Sequence, residues 1–127
     1  MKKLVIEGRF LGLNDYINIE RGNRYQAANV KKQLMDNVYW CIIQQLKGVK
    51  FTKPVVLHYT WYEKDKRRDK DNICSVGMKI IQDALVKAGT LKNDGWNEIA
   101  SFTHDFKVDS KNPRIEVEIE ELGETKE

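Results

Sequence analysis

Proline and cysteine are scarce in this chain, two of each in 127 residues, and each shortage removes a class of protein. Cys41 and Cys74 are isolated, fall in helical patterns and form no C-x-x-C pair. A disulfide scaffold is therefore excluded, and the expectation is reduced thiols in a cytoplasmic protein. The two histidines, His58 and His104, have no zinc-type spacing. No apolar run approaches the roughly 20 residues of a membrane span. Met1-Lys2-Lys3 leads directly into a strand-like segment, so neither a signal peptide nor a membrane partner is expected. Repeats, linkers and low-complexity tracts are missing too.

What is present suits a single folded domain. The chain is 41% hydrophobic and 32% charged, far from the disordered regime and long enough to bury a core without cross-links. The expected domain covers residues 1–122, with 123–127 a frayed tail. The net charge of +3 is unevenly spread. Residues 116–127 carry six glutamates against Lys126, about −5, which leaves +8 on the first 115. This segregation supports a basic face suited to phosphate and an acidic edge turned away from it.

The densest chemistry lies in Arg67-Arg68-Asp69-Lys70-Asp71-Asn72. In extended backbone Asp69 and Asp71 would point the same way. Two carboxylates about 4 Å apart repel by roughly 4 kcal/mol at an effective dielectric of about 20. A proton, a basic side chain or a divalent cation relieves that repulsion, and few hard oxygen ligands with room for water suit Mg2+ or Mn2+. The plainer alternative is solvated loop charges paired with Arg67, Arg68 and Lys70. Asn72, Lys79 and Asp83 fall on one helix face by spacing. Lys79 with Asp83 could be only a surface pair. Asn93-Asp94-Gly95 makes a turn that could return a third carboxylate.

The periodicities give the element order. Lys3 to Phe10 reads as a strand, and Gly12-Leu13-Asn14-Asp15 as a turn. Arg21 and Arg24 beside tyrosines could grip a DNA backbone, or simply face water at a helix start. From Arg24 to Lys47 the pattern is helical, with Leu34, Val38, Cys41, Ile42 and Leu46 on one face and Gly48 closing it. Val55 to Tyr62 is a strand with Val55, Leu57, Tyr59 and Trp61 on one face and His58 on the other. His58 reads as a packed, hydrogen-bonded residue. Trp61 and Tyr62 could stack on bases, although core packing is the better use of them. A second helix runs from Asn72 to Ala88, burying Ile73, Val76 or Gly77, Ile80, Ala84 and Leu85. Trp96–Asp109 and Arg114–Leu122 are strands expected to form a hairpin, with Glu116, Glu118 and Glu120 protecting an edge. The fold class is α+β, in the order β-α-β-α-β-β, a mixed sheet packed by two long helices. This order is expected to bring Asp69, Asp71 and Asp94 to one edge of the sheet.

The run Arg68-Asp69-Lys70-Asp71-Asn72, the later Asp83-Ala84-Leu85-Val86-Lys87-Ala88-Gly89, and Asn93-Asp94 resemble the RusA family of Holliday junction resolvases, most closely from about Lys53 to Leu122. The resemblance implies a small dimeric, magnesium-dependent endodeoxyribonuclease that cuts four-way DNA junctions, with no organic cofactor. It implies Asp69, Asp71 and Asp94 as metal-holding catalytic residues and Lys79 as their helper. The family often has Asp-Asp where this chain has Asn93-Asp94. The helix between Asn72 and Asp83 is about one turn longer than in the best-known members. Counting back from Asp83 selects Lys79, whereas counting on from Asp71 selects Ser75, which has no ammonium. Arg67, Arg68 and Lys70, with Arg21 and Arg24, are the expected DNA contacts. The competing expectation is a non-catalytic junction-binding protein that keeps the fold.

Overall fold

The fold comes from a computed structural model that describes residues 1–8 and 13–123, with residues 13–17 as backbone only. The elements are β1 (Lys2–Glu7), α1 (Leu13–Gly22), α2 (Arg24–Gln45), β2 (Val55–Glu63), α3 (Lys70–Lys87), β3 (Ile99–Val108) and β4 (Arg114–Glu121). Helices pack on a four-stranded mixed sheet of order β1-β4-β2-β3, as the α+β reading expected. Among the described residues no helix is long and apolar enough to cross a membrane.

The strongest alternation makes the centre of the sheet. Along β2 every second residue from Val55 to Glu63 is buried. Ile115, Val117 and Ile119 of β4 are buried in the same core. From α2 come Val38, Ile42 and Leu46, with Leu34 and Cys41 half-buried beside them. Ile73, Gly77, Ile80, Ile81, Ala84 and Leu85 supply the inner face of α3, and Gly77 rather than Val76 takes the fully buried position.

Three expectations are corrected. First, a separate helix, α1, precedes α2. Asn23 divides them: its amide donates to the Ile19 carbonyl that ends α1, while its side chain accepts from the Gln26 amide and caps α2. The expected turn through Asn14 and Asp15 is helical from Leu13, and Gly12 lies outside the described residues. β1 stops at Glu7, before Gly8 at φ 88°, and the expected strand residues Arg9 and Phe10 also lie outside them.

Second, β3 and β4 form no hairpin. β2 lies between them, parallel to β3 and antiparallel to β4. Burial explains the choice. The apolar residues of β4 are sequestered and need neighbours on both sides, whereas β3 is mostly exposed and suits an edge. Third, the β4 glutamates therefore protect no edge, because β4 is a central strand. Glu116 answers cations on the sheet's open face instead, meeting Lys3 at 2.8 Å and Arg114 at 2.7 Å. Glu120 meets His58 at 3.0 Å.

The two real edges differ. On β1 the Gln45 carboxamide donates to the Val5 carbonyl at 2.8 Å and accepts from its amide at 2.7 Å, acting as a substitute strand. β3 is the other edge, and it carries Phe102 and Val108 at 45% and 48% exposure.

Candidate active site

Residues 55–108 form one β2-α3-β3 unit in which the helix connects parallel strands. Parallel strands end on the same side, so the end of β2, the start of α3 and the end of β3 converge. A cleft of about 590 Å³ opens there, lined among others by Lys66, Asp69, Lys70, Asp71 and Phe106. Asp69 and Asp71 both reach it, though not as neighbours along a strand. Asp69 is extended (φ −68°, ψ 153°) at the N-cap of α3, whereas Asp71 already lies in the first helical turn. Capping residues ordinarily spend their carboxylate on the helix amides. Asp69 makes no such bond. The Asp71 carboxylate accepts from the Asn72 amide at 2.9 Å, and its carbonyl accepts from the Ser75 hydroxyl. The positive end of the α3 dipole and the ammonium groups of Lys66 and Lys70 suit the cleft to anions.

The floor holds a pair that sequence reasoning missed. Glu63 continues the inward phase of β2 and is only 7% exposed. Arg68 meets it in a bidentate contact, Nη2 at 2.9 and 3.0 Å from the two carboxylate oxygens and Nε at 3.0 Å. The alternation from Val55 could have flagged Glu63 as a buried acid in need of a cation. Arg68 was expected on phosphate, but its guanidinium is engaged inside the protein. Arg67 is different: its side chain is 86% exposed, 3.6 Å from Asp65.

Lys79 and Asp94 form a separate group. The Lys79 ammonium is 2.9 Å from Asp83 and 3.4 Å from Asp94. The hydrogen bond to Asp83, with the further attraction of Asp83 and Asp94, outweighs desolvation and raises the lysine above its usual pKa. Lys79 is thus a permanent cation at neutral pH and no general base. It lies eight residues beyond Asp71, about 12 Å along the helix. Asp94 precedes the start of β3, while the cleft includes Phe106, Lys107 and Val108 at its end. The expectation that the three carboxylates meet at one edge of one chain is corrected. Among the described residues no three His, Cys, Asp or Glu side chains stand together as a metal site.

Arg21 and Arg24 do come together. They line a recess of about 510 Å³ at the α1–α2 junction with Glu20, Ala27 and Ala28, beside Tyr25 at 87% exposure. Trp61 is buried, and its indole donates to His104 Nδ1 at 2.9 Å. Tyr62 carries the Arg114 guanidinium 3.7 Å above its ring. His58 is hydrogen-bonded to Thr103 and Glu120, in agreement with the reading of a packed residue.

The sequence model of a family described as endodeoxyribonuclease RusA matches residues 13–120. The chain belongs to the RusA family. The match spans both aspartate groups, Lys79 and the arginine recess. No curated protein matches the chain.

Proposed function

We propose that this RusA protein is a magnesium-dependent endonuclease that resolves four-way DNA junctions by paired phosphodiester hydrolysis. One observation carries the reading. A cleft at the start of α3 sets Asp69 and Asp71 among Lys66 and Lys70, in a chain of an endodeoxyribonuclease family.

The donor set fits the ion. Mg2+ keeps several waters and takes one or two carboxylates plus substrate phosphate, and Asp69 and Asp71 offer hard oxygens of that kind. They would hold Mg2+, or Mn2+, with the Asp94 of a second copy as the third ligand. An ion held there would neutralise phosphate charge and make its bound water more acidic. The protein's own part is positioning. Arg67, Lys66 and Lys70 draw in the DNA backbone, with Arg21 and Arg24 as a further contact, and this attraction weakens with salt. Lys79 supplies a fixed positive charge where negative charge develops on phosphorus.

Asp94 gives the proposed homodimer a chemical purpose. It stands near one end of β3 and the cleft near the other. If two copies pair antiparallel along this open edge, each copy's Asp94 end meets its partner's cleft end. The exposed Phe102 and Val108 provide apolar surface for such an edge. A two-fold dimer also presents two sites to a two-fold junction.

The test is cleavage of a labelled four-way junction, with magnesium or chelator, by wild type and Asp71→Asn. Paired cuts that need metal and vanish in the variant, with junction binding intact, are expected. Binding without cleavage in Mg2+ or Mn2+ would leave a junction-binding protein and sink the enzyme reading. Parallel flap and duplex substrates measure selectivity.

A further inference from the structure

We propose that Glu63 is a positioning residue, acting through Arg68 to hold Asp69 at the cleft. The inference rests on the reading of Asp69 as a site carboxylate.

Only Lys64 to Arg67 separates Glu63 from Arg68. This short loop leaves the end of β2 and re-enters the chain at the α3 cap. Its first end is fixed by the sheet, where the Glu63 carbonyl accepts from the Asp109 amide at 2.8 Å. Its last end is fixed by the bidentate contact of Arg68, at side-chain exposures of 9% for Glu63 and 10% for Arg68. Within it, the Asp65 carboxylate accepts from the Arg67 amide at 3.0 Å. Asp69 follows immediately, and its carbonyl accepts from the Ile73 amide at 3.1 Å to begin the helix. The backbone of Asp69 is thereby held from both sides, while its carboxylate makes no capping bond.

Chemistry argues against a pair retained for stability alone. Two buried charges incur a desolvation cost that their attraction repays only in good geometry, and apolar replacements are often as stable. Position 63 continues the phase of Tyr59 and Trp61, where an apolar side chain would serve the core. A planar fork on a carboxylate instead fixes direction as well as distance. Groups that orient metal-binding side chains commonly change affinity or activity 10- to 100-fold when altered.

The experiment compares full-length wild type, Glu63→Gln and Arg68→Lys. Glu63→Gln keeps the shape without the charge, and Arg68→Lys keeps the charge without the fork. Three measurements are made: Mn2+ binding by calorimetry without DNA, junction binding in chelator, and trypsin cutting after Lys64, Lys66 and Arg67. Folding is checked by thermal melts. Expected are Mn2+ affinity weakened about 10- to 100-fold, faster trypsin cutting in this loop, and junction binding within about twofold of wild type.

Unchanged Mn2+ affinity and unchanged trypsin cutting in a folded Glu63→Gln protein overturn the proposal. So does weaker junction binding in Arg68→Lys with tighter binding in Glu63→Gln, since that pattern makes Arg68 a DNA contact restrained by Glu63. If Glu63→Gln fails to fold, Arg68→Lys carries the same comparison. If wild type binds no Mn2+ and cuts no junction, the proposed function fails separately. Loop protection from trypsin then decides the clamp alone, and unchanged cutting in the variants rejects it.

Discussion

Replacing Lys79 with methionine separates a surface ion pair from a catalytic cation, because the two roles predict effects of different size on different observables. Lys79 is 60% exposed, with contacts to Asp83 at 2.9 Å and Asp94 at 3.4 Å. An exposed i,i+4 pair contributes about 0.3–0.5 kcal/mol, and a second exposed contact adds a comparable amount. The total loss of stability should stay below about 1 kcal/mol, a fall in Tm of roughly 3–5 °C at this chain length. If the ammonium faces charge developing on phosphorus, its removal costs a stabilising contact of the kind that changes rates about 10²- to 10³-fold. The assay pairs a thermal melt with single-turnover cleavage of a four-way junction. A rate loss above about 100-fold with a nearly unchanged melt supports the catalytic role. A loss below about fivefold, roughly 1 kcal/mol, refutes it, and Lys79 is then a surface pair. Asp83→Asn is the companion variant: it removes the 2.9 Å contact but retains the ammonium, so most of the cleavage rate should survive.

Three further outcomes follow from the geometry. Arg67→Ala and Lys70→Ala should each lower the slope of log affinity against log salt by about 1 without shifting the melt, as equilibrium binding across a salt series reports; unchanged slopes remove them from the DNA surface. Burial lowers the pKa of His104, so the unfolded chain takes up that proton first as pH falls, and stability should decline below about pH 6.5. Protonation would also remove the acceptor for the Trp61 indole, so denaturant melts followed by tryptophan emission should show the loss, and His104→Asn should flatten it. Phe102→Glu should dissociate a dimer built on the β3 edge and abolish cleavage, leaving a folded monomer in sedimentation. A cleaving dimer would place the interface elsewhere.

Local signals were legible where one residue pattern answers to one force. The β2 alternation predicted its buried face, and the α2 stripe from Leu34 to Leu46 predicted its packing. The D-x-D-N run pointed to the cleft because helix starts and carboxylates are local features. Pairing was less legible. β3 and β4 are adjacent in sequence with a proline between them, which suggests a hairpin, yet the order of strands depends on total burial across the sheet. Only the contrast between the deeply buried β4 and the exposed β3 discloses it. Asp94 was misplaced for the same reason, since its position follows from β3 running parallel to β2. Glu63 is hard to read from sequence because an acid among lysines resembles a solvated charge, whereas strand phase makes it inward-facing. The division between α1 and α2 rests on the two hydrogen bonds of Asn23, which helical spacing does not resolve.

The placement of β4 between β1 and β2 sets a timetable for synthesis. Among the described residues β1 pairs only with β4, Lys2 opposite Ile119 and Glu7 opposite Arg114, so the first strand made must wait for the last. At about 5–20 residues per second, that interval is on the order of ten seconds. The β2-α3-β3 unit, in contrast, is contiguous and can begin to assemble earlier. The nascent chain would therefore carry its carboxylates and lysines near one another before its sheet closes. Leu4 and Ile6 would meanwhile remain uncovered, and a chaperone that shields this first strand should raise the yield of folded protein more than one that acts after release.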